Sequence, residues 1–234
     1  MARVFAGPSL HYRWQMVAPL HLYIGNKAYS SWSLRPWLAA KVAGIPFEET
    51  VIPLYEEGSP ERMRAVSPVG KVPVLHHGDV VVWESLAIVE YLAEQFPDRR
   101  LWPEDSSARA VARAVSSEMH AGFSALRTNM GMNVRRRLPG RGRAPGVAED
   151  IARITALWAD CRARFGAAGP FLFGHFTIAD AMFAPVVTRF ETYVVELPAV
   201  ARAYSSAVLA LPAMKEWYAA AESEPWVIDR YEIA

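Results

Sequence analysis

Apolar and polar positions change period about 100 residues into the chain. Residues 20–24, Leu-His-Leu-Tyr-Ile, alternate with β-type side chains and predict a strand. Residues 25–29 read as a turn. Residues 31–42 carry Leu34, Leu38 and Val42 at helical spacing, with Pro36 expected in the first turn and Gly44 just past the end. Residues 47–52 read as a second strand with imperfect alternation. A polar stretch, 55–67, is expected to hold a short helix. Two short apolar runs, 72–75 and 80–82, flank His77-Gly78-Asp79 and predict a hairpin. Residues 85–95 place Leu86, Val89 and Leu92 on one side of a helix. The order is βαβ, then ββα.

Beyond Phe96-Pro97-Asp98 and Trp102-Pro103 the β signal stops. Val111, Val115, Met119, Phe123, Leu126 and Met130 form one long helical stripe. Further helices are predicted over 147–165, 178–193, 199–209 and 213–222. The fold class is therefore an α/β thioredoxin-like N-terminal domain followed by an all-α C-terminal helical domain. The division is 19–97 for the first domain, 98–106 for a linker and 107–234 for the second. Residues 1–18 are expected to be a disordered tail or the product of an early start.

Composition changes this picture little. Of 234 residues, 52% are hydrophobic and 21% charged, which is ordinary for a globular chain. A net charge of +1 sets up no global field for nucleic acid or a membrane surface. No apolar run approaches the roughly 18 residues that span a bilayer. Cys161, the single cysteine, excludes an internal disulfide framework and fits a reducing compartment, so a cytoplasmic location is expected. No cysteine, histidine or acid spacing matches a metal site, and the adjacent His76 and His77 face opposite ways in a strand. Residues 135–143 hold five arginines. They read as a solvated loop, or as an attraction for an anion; no basic stripe with aromatics continues them toward nucleic acid.

Ser30-Ser31-Trp32-Ser33-Leu34-Arg35, Lys71-Val72-Pro73-Val74-Leu75, Glu84-Ser85-Leu86-Ala87-Ile88 and Phe176-Thr177-Ile178-Ala179-Asp180 come in an order that resembles the cytosolic glutathione transferases. The likeness covers nearly everything from Leu20 onward. It is nearest the serine-containing (zeta- and tau-like) and omega-like types. It implies glutathione as co-substrate, a homodimer and a role in detoxification.

By its local sequence Ser30 is a helix cap, a common role for serine. The resemblance puts it where the family has its catalytic serine or cysteine, with Ser31 as the neighbouring alternative and Tyr23 as a more remote hydroxyl. A free thiol titrates near 8.5, so a hydroxyl at a helix N-terminus is needed to hold the thiolate near neutral pH. The resemblance also implies a cis bond before Pro73, with Val72 binding glutathione through its backbone. Lys71 is expected either to reach the glycine carboxylate or to be solvated. Glu84 and Ser85 are expected to take the γ-glutamyl end, although a serine cap beside an acid stabilises any helix. Thr177 and Asp180 form a capping box and carry no catalysis. The second-substrate pocket is assigned to Trp32, His120, Phe123 and Arg127, with Phe123 also a core candidate.

These residues imply conjugation of glutathione to a small electrophile, expected to be hydrophobic. An alternative is a glutathione-dependent cis–trans isomerase of the zeta (maleylacetoacetate isomerase) type. Against it, Trp32 stands where that signature has cysteine, and Pro36-Trp37 where it has Val-Arg. Disulfide exchange lacks the cysteine it requires. A non-catalytic binding module on the same fold is the remaining alternative.

Overall fold

A computed structural model describes residues 18–232. The expectation for residues 1–18 falls, but for its final residue, outside the described residues.

The N-terminal region is a four-stranded mixed sheet with helices against it. β1 (Leu20–Ile24) lies at the centre, parallel to β2 (Glu48–Val51) and antiparallel to β3 (Val74–His77). β4 (Val80–Trp83) pairs antiparallel with β3, giving the order β2-β1-β3-β4. Leu20, Leu22 and Ile24 of β1 and Leu75 of β3 point into the core. β2 is shorter than expected because it is an edge, with Glu48, Glu49 and Thr50 exposed. The hairpin turns at Gly78, whose φ of 59° suits a residue without Cβ.

α1 (Ser31–Val42) packs against α3 (Ser85–Gln95) and against α7 (Ile178–Thr192). It is buried on nearly every side, so its apolar residues do not fall on one stripe. Pro36 is its sixth residue, not part of the first turn. The cost of the missing backbone donor is absorbed by packing around a fully enclosed helix. α2 (Ser59–Val66) is the short helix in the polar stretch.

The C-terminal region is helical: α4 (Ser106–Ala121), α5 (Ser124–Asn129), α6 (Val147–Phe165), α7, α8 (Ala199–Leu209) and α9 (Pro212–Glu222). The single long helix expected through Met130 is in fact two. The chain breaks at Gly122, and Phe123 follows with φ 57°. Gly122 is a poor helix former, and a Cβ there would lie 2.8 Å from the Glu118 carbonyl oxygen. α5 restarts with a cap supplied from α6: the Leu126 N–H donates to Asp150 Oδ2 at 2.9 Å.

α7 runs through the centre of the molecule and starts at the capping box. The Thr177 N–H donates to Asp180 Oδ2 at 2.8 Å, and the Leu172 N–H donates to Oδ1 at 3.1 Å. The Ile178 N–H donates to the Leu101 carbonyl, joining α7 to the segment after the sheet. Cys161 is a core residue, as expected, and burial pushes its thiol up to about 12.

Asp180→Ala leaves two buried N–H donors without acceptors at the start of the central helix. It is expected to destabilise the fold by about 3 kcal/mol, read as a shifted midpoint in chemical denaturation.

Candidate functional site

The turn at residues 25–29 delivers the chain to Ser30, which caps α1. The Ser33 N–H donates to Ser30 Oγ at 3.4 Å. The Ser30 hydroxyl donates to Ser33 Oγ at 2.8 Å, and Ser33 Oγ also accepts the Gly25 N–H at 2.9 Å. Each hydroxyl offers one donor and two acceptor positions. If both rotate, Ser33 donates to Ser30, and the Ser30 proton is free to face a ligand. Ser30 therefore sits at a positive helix end with a hydroxyl partner behind it.

Two cavities adjoin this point. The larger, about 680 Å³, is lined by Tyr29, Ser30, Ser31, Trp32, Lys71 and Val72 on one side, and by Arg127, Met132, Arg189 and Tyr231 on the other. The smaller, about 180 Å³, is lined by Trp32, Lys71, Val72, Pro73, Glu84 and Ser85. Trp32, Lys71 and Val72 belong to both. Every residue expected at the glutathione site thus lines one or both of two adjoining cavities.

Several groups there lack partners. The Val72–Pro73 bond is cis, and β3 begins only at Val74. The Val72 N–H and C=O make no hydrogen bond with another described residue. Ser85 is 1% exposed, and its Oγ is buried without a partner. Glu84 precedes α3 with φ 68°, a conformation that L side chains rarely adopt. Such strain, of order 1–3 kcal/mol, gathers at functional positions. Glu84 Oε2 lies 3.7 Å from His120 Nε2.

The expected second-substrate pocket is corrected at two of its four positions. Trp32 and Arg127 line the cleft. His120 does not; its ring packs edge-on against Trp32, with centroids 5.3 Å apart. Burial and the nearby Arg35 hold the His120 imidazole below its ordinary pKa. Phe123 is turned into the core by the break between α4 and α5. Both had been placed by assuming one unbroken helix. Tyr23 is also outside the cleft, stacked on His21 at 4.3 Å.

Sequence reasoning missed Tyr29, Arg189 and Tyr231. Arg189 had a signal: it is a buried charge in the last turn of a largely apolar helix. Tyr29 and Tyr231 had none, because a clamp between distant segments brings them together. The arginine loop is part of that clamp and is not simply solvated. Arg135 donates to the carbonyls of Glu224 at 2.9 Å and Trp226 at 2.8 Å, and to the Tyr29 hydroxyl. Arg136 pairs with Glu232 at 2.5 Å, and Arg137 pairs with Glu191. The Tyr29 hydroxyl donates to Glu232 at 2.6 Å. Burial and that bond raise the Tyr29 pKa, so its phenol stays protonated and committed. Among the described residues no cluster of histidine, cysteine and acids could hold a metal.

The family model described as "Glutathione S-transferase, N-terminal domain" matches residues 29–95, and that for the C-terminal domain matches 144–220. A maleylacetoacetate isomerase of Rattus norvegicus is 30% identical over 181 residues, covering 75% of this chain and 80% of that protein. Glutathione S-transferase 1 of Dianthus caryophyllus is 38% identical over 94 residues, 39% of this chain. That stretch spans only 41% of the carnation protein, and another spans 48% of a probable maleylacetoacetate isomerase of Caenorhabditis elegans. Among solved structures, a glutathione transferase homologue from Burkholderia gl BGR1 with bound glutathione superimposes with TM-score 0.65 at 24% identity, covering 88% of this chain and 99% of that one. A tau-class enzyme from Mangifera indica does so with TM-score 0.67 at 19% identity, covering 92% and 99%. These two show the same fold. The chain belongs to the glutathione S-transferase family.

Ser33→Ala removes the acceptor for the Gly25 N–H and the hydroxyl behind Ser30. It is expected to cost about 1–3 kcal/mol of stability, measured by urea unfolding, because Ser33 is fully buried.

Proposed function

We propose that this protein binds glutathione and transfers its thiolate to a small electrophile. The observation that carries the reading is the set of unpartnered groups along two adjoining cavities. The Val72 backbone offers an N–H and a C=O as a strand edge does, suited to the cysteinyl part of a peptide. The Ser85 hydroxyl and the start of α3 suit the γ-glutamyl carboxylate, and Glu84 suits its ammonium. Lys71 stands between the cavities, within the reach of a second carboxylate. A tripeptide laid across these groups has its thiol at Ser30, with Ser31 the neighbouring alternative.

The chemistry follows from that placement. Ser30 donates to the thiolate sulfur, and the α1 N-terminus adds its partial positive charge. Lowering the thiol pKa by two units requires about 2.7 kcal/mol, within reach of a charge-assisted hydrogen bond plus the helix end. The sulfur then attacks an electrophilic carbon, a C–S bond forms, and the displaced group leaves with its electron pair. No covalent enzyme intermediate is needed.

Isomerisation remains the second reading, favoured by the rat relative's extent of match. There, sulfur adds to one carbon of a cis double bond, the bond rotates, and sulfur leaves again. Assay of both reactions separates the two. The same reading takes the protein to act in the cytoplasm as a homodimer. Exposed apolar residues Val69, Val80, Val81 and Trp83, gathered around β4, support a covered face. Among the described residues no helix is long and apolar enough to cross a membrane.

Ser30→Ala is expected to bind glutathione within about threefold of wild type. It should lose the near-neutral thiolate absorbance and about 10- to 100-fold in kcat/KM. Retention of the thiolate signal would move the role to Ser31. The Ser85→Ala variant is expected to weaken glutathione about tenfold in calorimetry, with the thiolate signal of the bound fraction unchanged.

A further inference from the structure

Glu84 is answered from the other half of the molecule. It stands just before α3 with φ 68°, and its side chain makes no cap. Among the described residues its carboxylate has one charged neighbour within ion-pair distance, His120, whose Nε2 lies 3.7 Å from Glu84 Oε2. His120 is in the last turn of α4, so a group that lines the smaller cavity from the sheet side is itself faced by the helical region. The imidazole is fixed by its surroundings. Its ring stands edge-on to Trp32, with centroids 5.3 Å apart, and the carbonyl of the same residue accepts from Arg127 Nη1 at 2.9 Å. The Arg35 guanidinium lies 4.2 Å from the centre of the Trp32 ring.

One ring nitrogen has polar company and the other has none. Nδ1 is buried without a hydrogen-bond partner. A neutral imidazole carries one N–H, whereas an imidazolium must donate from both nitrogens. The neutral ring with its proton on Nε2 turns that donor toward Glu84 and leaves Nδ1 bare. A second proton would create a buried N–H without an acceptor, which is costly. The charges agree with the geometry. Burial is the largest influence and opposes a positive ring; Arg35 of α1 and Arg127 of α5 oppose it too, and Glu84 favours it, so the His120 pKa lies below its ordinary value. The other ionisable groups on the elements packed against α4 are engaged elsewhere. On α7, Asp180 caps its own helix, Arg189 donates to the Met130 and Pro185 carbonyls, and Glu191 pairs with Arg137. On α3, Glu90 pairs with Arg113 of α4, and Glu94 stands at the far end from Glu84. On α4 itself, Arg109 donates to the Pro103 and Glu104 carbonyls, and Glu118 pairs with Arg153.

Resting on the glutathione reading, we propose that His120 is a positioning residue of the γ-glutamyl site: while neutral it holds Glu84 for the glutathione ammonium, and once protonated it takes Glu84 for itself. The neutral Nε2–H steers the carboxylate without cancelling its charge, which remains for the ligand. An imidazolium beside the same carboxylate competes with the ammonium, and the two cations repel each other. The sign follows from linkage. An ammonium at Glu84 opposes a second proton on His120, so bound glutathione lowers the His120 pKa further, and a protonated His120 weakens glutathione by the same factor. Affinity is therefore complete at and above neutral pH. It is lost as pH falls through the titration of His120, in a window below the ordinary imidazole value. His120 touches no reacting atom and acts only through Glu84.

Calorimetry with S-methylglutathione reads this, because that ligand keeps the γ-glutamyl ammonium and has no thiol to ionise. Wild type is expected to bind it about threefold or more tightly at about pH 7.5 than at about pH 5. Glutaryl-S-methylcysteinylglycine lacks only the ammonium; it should bind more weakly and show no such fall. His120→Gln keeps a neutral donor near the place of Nε2. It should hold the affinity for S-methylglutathione near neutral pH within about twofold and lose the pH dependence. His120→Phe keeps a ring against Trp32 without the donor, and should weaken S-methylglutathione about threefold near neutral pH, again without the fall. Nuclear magnetic resonance follows the ring itself. The Cε1 proton of His120, assigned by its loss in His120→Gln, should titrate at lower pH with S-methylglutathione bound and should not shift with the glutaryl ligand. A pH dependence retained in His120→Gln overturns the proposal, since Glu84 or another group then titrates. So does an equal fall for the glutaryl ligand. Wild-type affinity that is level across the range fails this inference alone, whereas no binding of S-methylglutathione at any pH fails the glutathione reading and this inference with it.

Discussion

The burial of α1 is the constraint on which the rest depends. A helix that is apolar around most of its circumference must be enclosed, and one sheet cannot enclose it. α3 packs against it from the sheet region, and α7 and α9 pack against it from the helical region. The helical region is therefore part of what allows the first region to exist in this form. Because α1 cannot move without opening both, its N-terminus is held at a fixed place, and Ser30 with it. Rigid elements hold a reactive group more closely than loops do.

The turn that leads into Ser30 is held in the same spirit, from the far end of the chain. Glu224 accepts the N–H groups of Lys27 at 2.6 Å and Ala28 at 3.0 Å, and the Trp217 indole donates to the Lys27 carbonyl at 2.8 Å. Asn26 Oδ1 accepts the Leu54 N–H at 2.7 Å, tying the turn to the opposite lip of the cleft. Burial pushes the Glu224 carboxyl above its ordinary range, while the two N–H donors and Arg135 act against that rise. The C-terminal segment thus closes one side of the cleft and brings Tyr231 into its wall.

The two sides of the cleft have different electrostatic characters. The sheet side offers a backbone edge at Val72, hydroxyls at Ser30 and Ser85, the starts of two helices, and one charge of each sign at Lys71 and Glu84. The helical side offers guanidinium groups held by carbonyls. Trp32 borders both cavities, where the two sides meet. That division gives the cavity a chemical direction that its volume alone does not have.

The order of elements was legible in the sequence because period 2 and period 3.6 are local properties. Helices at Ser31–Val42, Ser85–Gln95, Val147–Phe165 and Ala199–Leu209 end where their caps and apolar spacing place them. The cleft-lining groups Ser30, Val72, Glu84 and Ser85 were also legible, since each lies at the junction of an element that its own residues define. What the tertiary structure alone decided was the other side of the cleft. The stripe through Met130 continues across Gly122 in the sequence, but the α5 cap comes from Asp150, so the break and the fate of Phe123 are not local. Arg135 looked like one of five solvated charges until the segment at 224–232 supplied its partners. Arg189 looked like an oddity in an apolar helix; packing made it a cation facing a cavity. Periodicity records which side of an element is buried, but not which distant element buries it, and the second fact sets what the arginines meet.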